Sequence, residues 1–528
     1  MRGTSAIKSA RRVILAFAIV NAVLFGALLP LWEGFDEAFH YGYVETLWQS
    51  RSLPIWGRTP LPYDIAASFH FAPVSSVAKR AMPEATPYDE WFSLPEADRE
   101  HRRAELERLA ADPRPGSRGN YEAHQPPLAY LVLAPLDWSM AKLPLTVRVL
   151  VLRIFCGVVG VVLLFLGASA LCRALEVPER FGPAVLFAIF CSEMFYATAA
   201  HVANDWLAVG ISALFLAGCA RFVRIPDRRT ALATAGWLAA GLLTKAYFLV
   251  FALFAAALAI VLLLRRRTRI AAILPAAALV MLVAGPWYAR NFVVYRSLGA
   301  SPEQLDSIGI KQALAAVPRI DWPATLGYLG RASLWTGNNW FNSYSRTTLN
   351  VLLGLFAVGI LAWGWRRRAV KPAEWAIFGA MVVFLAAVLY EGCAMVADRP
   401  DQMVAGPSPW YTQVALAPIL ALVFLGFARW QRAGRALAAA TISLGAWILL
   451  GTWTLKLFPM YGGGGSGAMR LKEAWNWWAH GAAAQARVLS ATALAPSAWL
   501  YAGLLVALAL TIVAWALVLK GLGNPNRP

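Results

Sequence analysis

"RRVILAFAIVNAVLFGALLPLWEGFDEAFHYGY", residues 11–43, joins a basic start to an apolar run, then places Glu33, Asp36, Glu37 and His40 directly behind it. An apolar run of this length reads as a membrane span. Ionisable groups at its edge are costly unless they hold water, a metal, a partner or a reaction. If the pattern recurs along the chain, the fold is a helical membrane protein and this acidic cluster is its first functional candidate.

It does recur. The 528 residues are 59% hydrophobic and 15% charged, with mean hydropathy +0.54, which is the composition of a polytopic membrane protein. The 23 Trp and 16 Tyr suit interfacial belts. The net charge of +19 does not point to nucleic acid, because the basic residues fall in short clusters between apolar runs. The five cysteines, 156, 172, 191, 219 and 393, lie in or beside apolar segments with no CxxC and read as small core hydrophobes. Met1–Arg12 followed by Val13–Leu31 lacks a clear small-residue cleavage site and reads as an uncleaved signal-anchor. The excess of Arg over Lys hints at a bacterial source.

The basic clusters set a topology. They are Arg2/Lys8/Arg11/Arg12, Arg173/Arg180, Arg221/Arg224/Arg228/Arg229, Arg265–Arg267/Arg269, Arg366–Arg368/Lys371, Arg429/Arg432/Arg435 and Lys520/Arg527. The positive-inside rule places all of them in the cytoplasm. Spans at about 13–31, 154–172, 182–200, 206–222, 231–246, 247–264, 270–288, 348–365, 373–391, 410–428, 436–455 and 497–519 satisfy it. The expected fold is therefore all-α and polytopic, with about twelve transmembrane helices and both termini cytoplasmic. "PPLAYLVLAPLDWSMA" (126–141) would invert every later cluster if it crossed. At roughly 24 Å it is short for a core of about 30 Å, so it reads as an interfacial or half-inserted helix. The run 231–264 must instead turn, at "LTKAYF" (243–248), which puts Lys245 on the outer side.

The first outer loop then runs over 32–153, with a charged helix pattern in 88–112 behind Pro95–Glu96. Further outer loops are 289–347, 391–409 and 456–496, the last with a glycine-rich stretch (461–467) and a Trp-rich helix pattern (473–487). All six histidines, 40, 70, 101, 124, 201 and 480, fall on this outer side. The polar chemistry is concentrated there.

Asp36 and His40 are four apart and share a face if a helix starts near Asp36, with Glu37 beside them. Three readings stay open: Asp36 is an N-cap, or a general base taking a proton from an incoming hydroxyl or amine, or part of a hard-metal set. Glu122 and His124 precede Pro126 and Pro127, which fits a helix start as well as a site. Arg148 and Arg153 open the second span from outside, either snorkelling or gripping a phosphate in a guanidinium fork. His201, Asn204 and Asp205 sit at an outer turn where capping is the plainer reading. Lys245, alone in an apolar hairpin with Tyr247, marks a substrate path. Trp287, Arg290 and Asn291 lie at another outer helix end, and "LWTGNNWFNSYS" (334–345) offers amides and aromatics that suit a sugar or an interfacial belt.

The order first span, "FDEAFHY", long outer loop, "HQPPLAYL", "RIFCGVVG", "AND", "LTK", "PWYARN" resembles the GT-C membrane glycosyltransferases, in the branch of protein O-mannosyltransferases and the lipid A aminoarabinose transferase. The similarity covers about the first 300 residues, the expected catalytic module 1–300, with 301–528 as further spans. It implies a polyprenyl-phosphate sugar donor and inverting transfer, on the outer face of a bacterial inner membrane, to a glycan, lipid or protein acceptor. It also implies membrane lipid around the spans, no nucleic-acid partner and no required cofactor, with a divalent metal as an option. By resemblance Asp36 is the catalytic centre with Glu37 and His40 as neighbours, while Arg153 and Lys245 contact the donor phosphate. His124 matches the family's His-Pro-Pro with an inserted Gln125. "AGPSPWYTQVALAPI" (405–419) is only loosely similar to a Gly-Arg-Tyr span start and lacks the Arg. A polytopic transporter or flippase of a lipid-linked substrate is the alternative, against which stand the absence of an internal repeat and of mid-membrane polar groups.

Overall fold

The computed structural model describes residues 2–300, 308–340, 344–365, 369–399, 401, 403–464, 471–480 and 482–523. Of the features named above, Arg366–Arg368, Arg527, residues 341–343 and residues 465–467 lie outside these. The first half comprises α1 (Arg2–Leu28), α2 (Glu37–Ser50), α3 (Tyr63–Ser68), α4 (Tyr88–Ser93), α5 (Glu96–Arg108), α6 (Leu128–Ser139) and α7 (Leu145–Ala174). It continues with α8 (Gly182–Phe190), α9 (Glu193–Ala199), α10 (Asp205–Arg224), α11 (Arg228–Leu242), α12 (Phe248–Leu264) and α13 (Ile270–Tyr295). Long apolar helices follow at Arg346–Trp365, Pro372–Asp398, Leu416–Ala428, Gln431–Gly451 and Ser497–Gly523. Helix α1 packs against α7 and against Ser497–Gly523, so the end of the chain closes on its beginning.

Each expected span is helical, but the count of twelve is not reached. Among the described residues nine helices are long and apolar enough to cross a membrane, or ten if α8 and α9, bent by 65°, form one span. Helices α11 and α12 have 15 and 17 residues, about 22 and 26 Å, short of a core of about 30 Å. The physical reason is the turn between them. The N–H groups of Thr244 and Lys245 both bond the Gly241 carbonyl, and a Cβ at Gly241 would lie 2.1 Å from the Phe248 ring. Only glycine lets α12 fold back so soon, and the turn spends residues that would have lengthened both helices.

The expected interfacial helix is α6, twelve residues carrying exposed Leu131, Val132 and Trp138. The first outer loop also holds two small sheets that an all-helical reading does not contain. Pro60–Pro62 pairs antiparallel with Pro115–Gly119, and Pro73–Val74 pairs parallel with Thr86–Pro87. In the Trp-rich region the chain forms Leu471–Ala479 and Ala482–Thr492, with Trp475 exposed and Trp478 packed on Phe458 and Tyr501.

Arg148 pins the outer loop to the bundle. Its guanidinium lies 2.6 Å from Asp64 of α3, 3.3 Å from Glu45 of α2 and 3.6 Å from Asp137 of α6. Tyr41 and Trp48 donate to the Asp137 oxygens at 2.7 and 2.8 Å. Arg148, Glu45 and Asp137 are fully buried and Asp64 nearly so. Burial pushes the Glu45 carboxyl well above its ordinary range, and those of Asp64 and Asp137 upward as well. Removing the one cation from three buried carboxylates is expected to cost about 3–5 kcal/mol. Arg148→Ala should therefore melt well below wild type in a detergent thermal scan, with Arg148→Lys between them. An unchanged melting temperature for Arg148→Ala would refute the pinning role.

Candidate active site

The four ionisable residues behind α1 diverge to four different partners. Glu33 accepts from Tyr88 at 2.8 Å and from Tyr461 at 3.5 Å, tying α4 and the C-terminal half to the end of α1. Glu37 forks with Arg153, whose Nε lies 2.7 Å from its Oε1, and it also accepts from the Val202 N–H at 3.0 Å. His40 Nδ1 shares a hydrogen bond of 2.7 Å with the Tyr130 hydroxyl and stands 3.9 Å from Glu122. Asp36 accepts from the Tyr121 hydroxyl.

Asp36 occupies the N-cap position of α2 in the left-handed region, φ 54° and ψ 20°, and its side chain makes no cap bond. Asp is among the non-glycine residues that tolerate this conformation best. The capping reading therefore does not describe what the carboxylate does. Asn204 is likewise the N-cap of α10 without a side-chain cap bond. Its Nδ2 donates to Gln125 Oε1 at 3.0 Å, and the next residue, Asp205, accepts from Lys245 Nζ at 2.5 Å. Three polar side chains at helix starts are thus turned into one common region, which Lys245 enters from the α11–α12 turn.

The region is buried and polar. Glu37, His40, Glu122, His124, His201, Asn204, Asp205 and Lys245 are all buried. Several of their atoms have no hydrogen-bond partner among the described residues, namely Glu122 Oε2, both His201 ring nitrogens, Asn204 Oδ1 and Asp205 Oδ1, and the hydroxyl of the partly buried Tyr247 nearby has none either. Buried polar atoms are ordinarily paired, so such a concentration marks a place built to meet polar atoms. His201 is held by Gly34, where any Cβ would lie 2.6 Å from the ring, and by the edge of Phe35.

The electrostatics divide the acids. Burial pushes the Asp36 carboxyl up, against the Tyr121 hydroxyl and Lys245. Burial pushes Glu37 the same way, but Arg153 and the Val202 N–H outweigh it and bring Glu37 below the usual range. Glu122 is pushed up to about 8 by burial and by Asp36. Burial lowers His40 well below its ordinary value, lowers His201, and takes His124 down to about 4. The pocket is therefore one of neutral imidazoles, with Glu122 holding its proton at pH 7.

Two expected phosphate contacts are otherwise engaged. Arg148 lies in the Glu45/Asp64/Asp137 cluster. Arg153 uses all five N–H groups: two on Glu37 and three on the Gly26, Leu29 and Pro30 carbonyls, at 3.2, 2.7 and 2.8 Å. Neither has a fork to offer a phosphate in this arrangement, because acids of α2, α3 and α6 reach Arg148 and Glu37 of α2 reaches Arg153 first. Trp287, Arg290 and Asn291 gather elsewhere. Arg290 sits 4.9 Å over the Trp287 ring and donates to the Pro54 carbonyl at 2.9 Å, while Asn291 reaches the Leu298 carbonyl at 3.3 Å. Among the described residues no three His, Cys, Asp or Glu side chains are placed to hold a metal ion.

The structure adds residues that sequence reasoning missed. Tyr121 is the nearest partner of Asp36. Trp410 stacks on Phe35 at 4.4 Å, and Tyr411 lies 5.0 Å from Lys245 Nζ. The signal for the last two was the aromatic pair behind Pro409 at an outer span start.

No family model and no curated protein matches the chain. Among solved structures, ArnT from Cupriavidus metallidurans bound to undecaprenyl phosphate aligns with 98% of this chain and 76% of its own, at 12% identity and a TM-score of 0.46. The apo structure of ArnT from the same organism aligns with 90% and 75%, at 12% identity and a TM-score of 0.40. Likeness at this level assigns no role to any residue.

The opposite shifts of Glu122 and His124 give a pH signature. A raised carboxyl contributes stability that is complete below about pH 4.5 and lost as pH rises through 8. A depressed histidine contributes stability that is complete above about pH 6.5 and lost as pH falls through 4. Between about pH 4.5 and 6.5 the contributions of this pair cancel, and above that the Glu122 loss adds to that of Glu45, whose carboxyl is also raised. Glu122→Gln should therefore flatten the fall in melting temperature between pH 6.5 and 8.5, and His124→Gln should soften the fall towards pH 4. Thermal scans across this range check both, and a wild-type slope in Glu122→Gln would contradict the assignment.

Proposed function

We propose that the protein is an inverting glycosyltransferase of the GT-C kind, moving a sugar from a polyprenyl-phosphate donor to an acceptor, with its catalytic module in residues 1–300. The observation that carries this is the gathering of Asp36, Asp205 and Lys245 in one largely buried polar cluster, with Asp36 turned to Tyr121 rather than to a cap and Lys245 turned to Asp205. The order of motifs along the first 300 residues supports the same reading. On it the enzyme is a multi-pass protein of the bacterial inner membrane, with both termini cytoplasmic and the pocket on the extracytoplasmic face.

The acceptor oxygen attacks the anomeric carbon from the face opposite the phosphate. As the new C–O bond forms, the bond from anomeric carbon to phosphate oxygen breaks, and its electron pair leaves with the polyprenyl phosphate. Asp36 takes the acceptor proton, and the upward push of burial on its carboxyl brings its basicity towards the working pH. Lys245 exchanges Asp205 for the departing phosphate and stabilises its charge. Glu37 and Arg153 are positioning residues that hold Asp36 in place. His40, Glu122, His124, His201, Asn204, Asp205 and Tyr247 line the pocket and meet sugar or phosphate oxygens, with Arg148, Trp287, Arg290 and Asn291 shaping its surroundings.

The test needs no acceptor. Purified protein is incubated with a panel of polyprenyl-phosphate sugars, and release of the free polyprenyl phosphate is followed by mass spectrometry, undecaprenyl phosphate serving as the first standard. One donor should be hydrolysed slowly by wild type. Asp36→Asn should lower the rate about 10²- to 10⁴-fold with near-wild-type melting, and Lys245→Ala about 10²- to 10³-fold with a lower melting temperature, because it leaves Asp205 buried without its cation. Full activity in Asp36→Asn sinks the base assignment. Donor-dependent stabilisation without release from any donor would favour a transporter.

A further inference from the structure

Twenty residues separate Arg153 from Arg173 along α7, roughly 30 Å of helix, so the far end of the bundle is a bilayer thickness from the Asp36 pocket. There the ends of α7 and α10 and the start of α11 enclose a groove of about 600 Å³. Its wall is made of small and apolar residues, Ala170, Leu214, Ala217, Gly218 and Ala233, with Trp237 part of the lining. Helices α10 and α11 touch closely at its floor, where a Cβ on Gly218 would lie 2.7 Å from the Thr234 hydroxyl. The small side chains on either side leave the slot.

Its rim carries Arg173, Arg221, Arg224 and Arg229, and no acid lines it. Arg224 is drawn aside by Glu176 and by the Ala174 carbonyl, 3.1 Å away. The nearby Asp227 caps α11, accepting from the Thr230 N–H at 2.8 Å. Arg173, Arg221 and Arg229 remain over an apolar slot, with the exposed Asp227 the acid within electrostatic reach of Arg221 and Arg229. The groove is of the size that holds a small ligand; an adjoining one of about 290 Å³ shares Ala174 and Arg224 and is mixed in charge, with Arg267 and Lys371 beside Glu176 and Glu374.

We propose that this groove is a binding site for an anionic phospholipid, its phosphate under Arg173, Arg221 and Arg229 and one acyl chain against α10 and α11. The two halves of the site select this chemistry together. A soluble anion would satisfy the guanidinium forks but leave the apolar wall wet. A neutral lipid would cover the wall and leave the arginines repelling one another. Basic pockets between transmembrane helices at the cytoplasmic surface hold anionic headgroups on these terms, and half-exposed Ile225 and Trp237 sit at the depth of an interface. The proposal is independent of how the Asp36 pocket is used.

Native mass spectrometry of the full-length protein in detergent, with added phosphatidylglycerol, phosphatidylcholine or inorganic phosphate, tests it. Wild type should retain one phosphatidylglycerol at least about fivefold over phosphatidylcholine. Arg221→Ala/Arg229→Ala should weaken that retention by about tenfold or more, and Ala233→Trp, which fills the slot and leaves every arginine, should weaken it too. Arg265→Ala/Arg266→Ala, an exposed basic pair outside the groove, should not. Equal retention of phosphatidylcholine, or an equal loss in the exposed pair, would overturn the proposal. So would full displacement of phosphatidylglycerol by excess inorganic phosphate together with unchanged binding in Ala233→Trp, which would make this a free-phosphate site.

Discussion

The fork between Arg153 and Glu37 is the constraint on which the outer end of the bundle depends. Burying a guanidinium and a carboxylate is unfavourable unless every donor and acceptor is used. Here all five Arg153 N–H groups bond, two to Glu37 and three to the carbonyls that end α1. Glu37 spends its remaining capacity on the Val202 N–H, just ahead of α10. One carboxylate thereby joins the end of α1, the wall of α7 and the α9–α10 turn. Because Glu37 cannot move, its neighbour Asp36 is held in the left-handed conformation that sends its own side chain to Tyr121. Adjacent acids consequently acquire opposite characters: Glu37 is held charged, and Asp36 is left as the one with proton affinity to spare.

The same end of the bundle collects helix starts. Helices α2, α6, α10 and α12 all begin around the pocket, at Glu37, Leu128, Asp205 and Phe248. Their positive dipole ends favour negative charge there, and Asp36, Asn204 and Asp205 would ordinarily neutralise that preference by capping. They do not cap. The preference is left for the pocket, beside Lys245 and the unpartnered atoms of Glu122, His201, Asn204 and Asp205. On the proposed reading the helix starts and Lys245 favour the charge of the leaving phosphate, while Asn204 Oδ1 and Asp205 Oδ1, which can only accept, suit sugar hydroxyls.

Part of the fold and of the candidate site was legible in one dimension. The spans follow from hydropathy alone, and Asp36 and Lys245 stand out because each is an ionisable residue where apolar sequence leads the reader to expect none. Two features were not legible there. The count of twelve is not confirmed: the expected turn after 231–246 is made at Gly241, and α11 and α12 on either side of it are short for spans. Arg148 and Arg153 looked alike in sequence, two arginines at the start of one outer-facing helix. Their roles are set by Glu45, Asp64, Asp137 and Glu37, whose approach depends on how the loop folds back, and no local pattern encodes that. Tyr121 and Tyr411, 85 and 375 residues along the chain from Asp36, were out of reach for the same reason.

The charge balance of the pocket ties its parts into a sequence of events on the proposed reading. With His40, His124 and His201 neutral and Glu122 protonated, Lys245 is the cation that Asp36 and Asp205 share, and it holds Asp36 less basic than burial alone would make it. A phosphate arriving beside Lys245 takes that charge for itself. Asp36 then loses its opposing cation and gains a neighbouring anion, and both changes raise its affinity for a proton. The base would be weak while the pocket lacks a donor and would strengthen as the donor binds. Proton abstraction from the acceptor is thereby timed to the complex in which the sugar is in place.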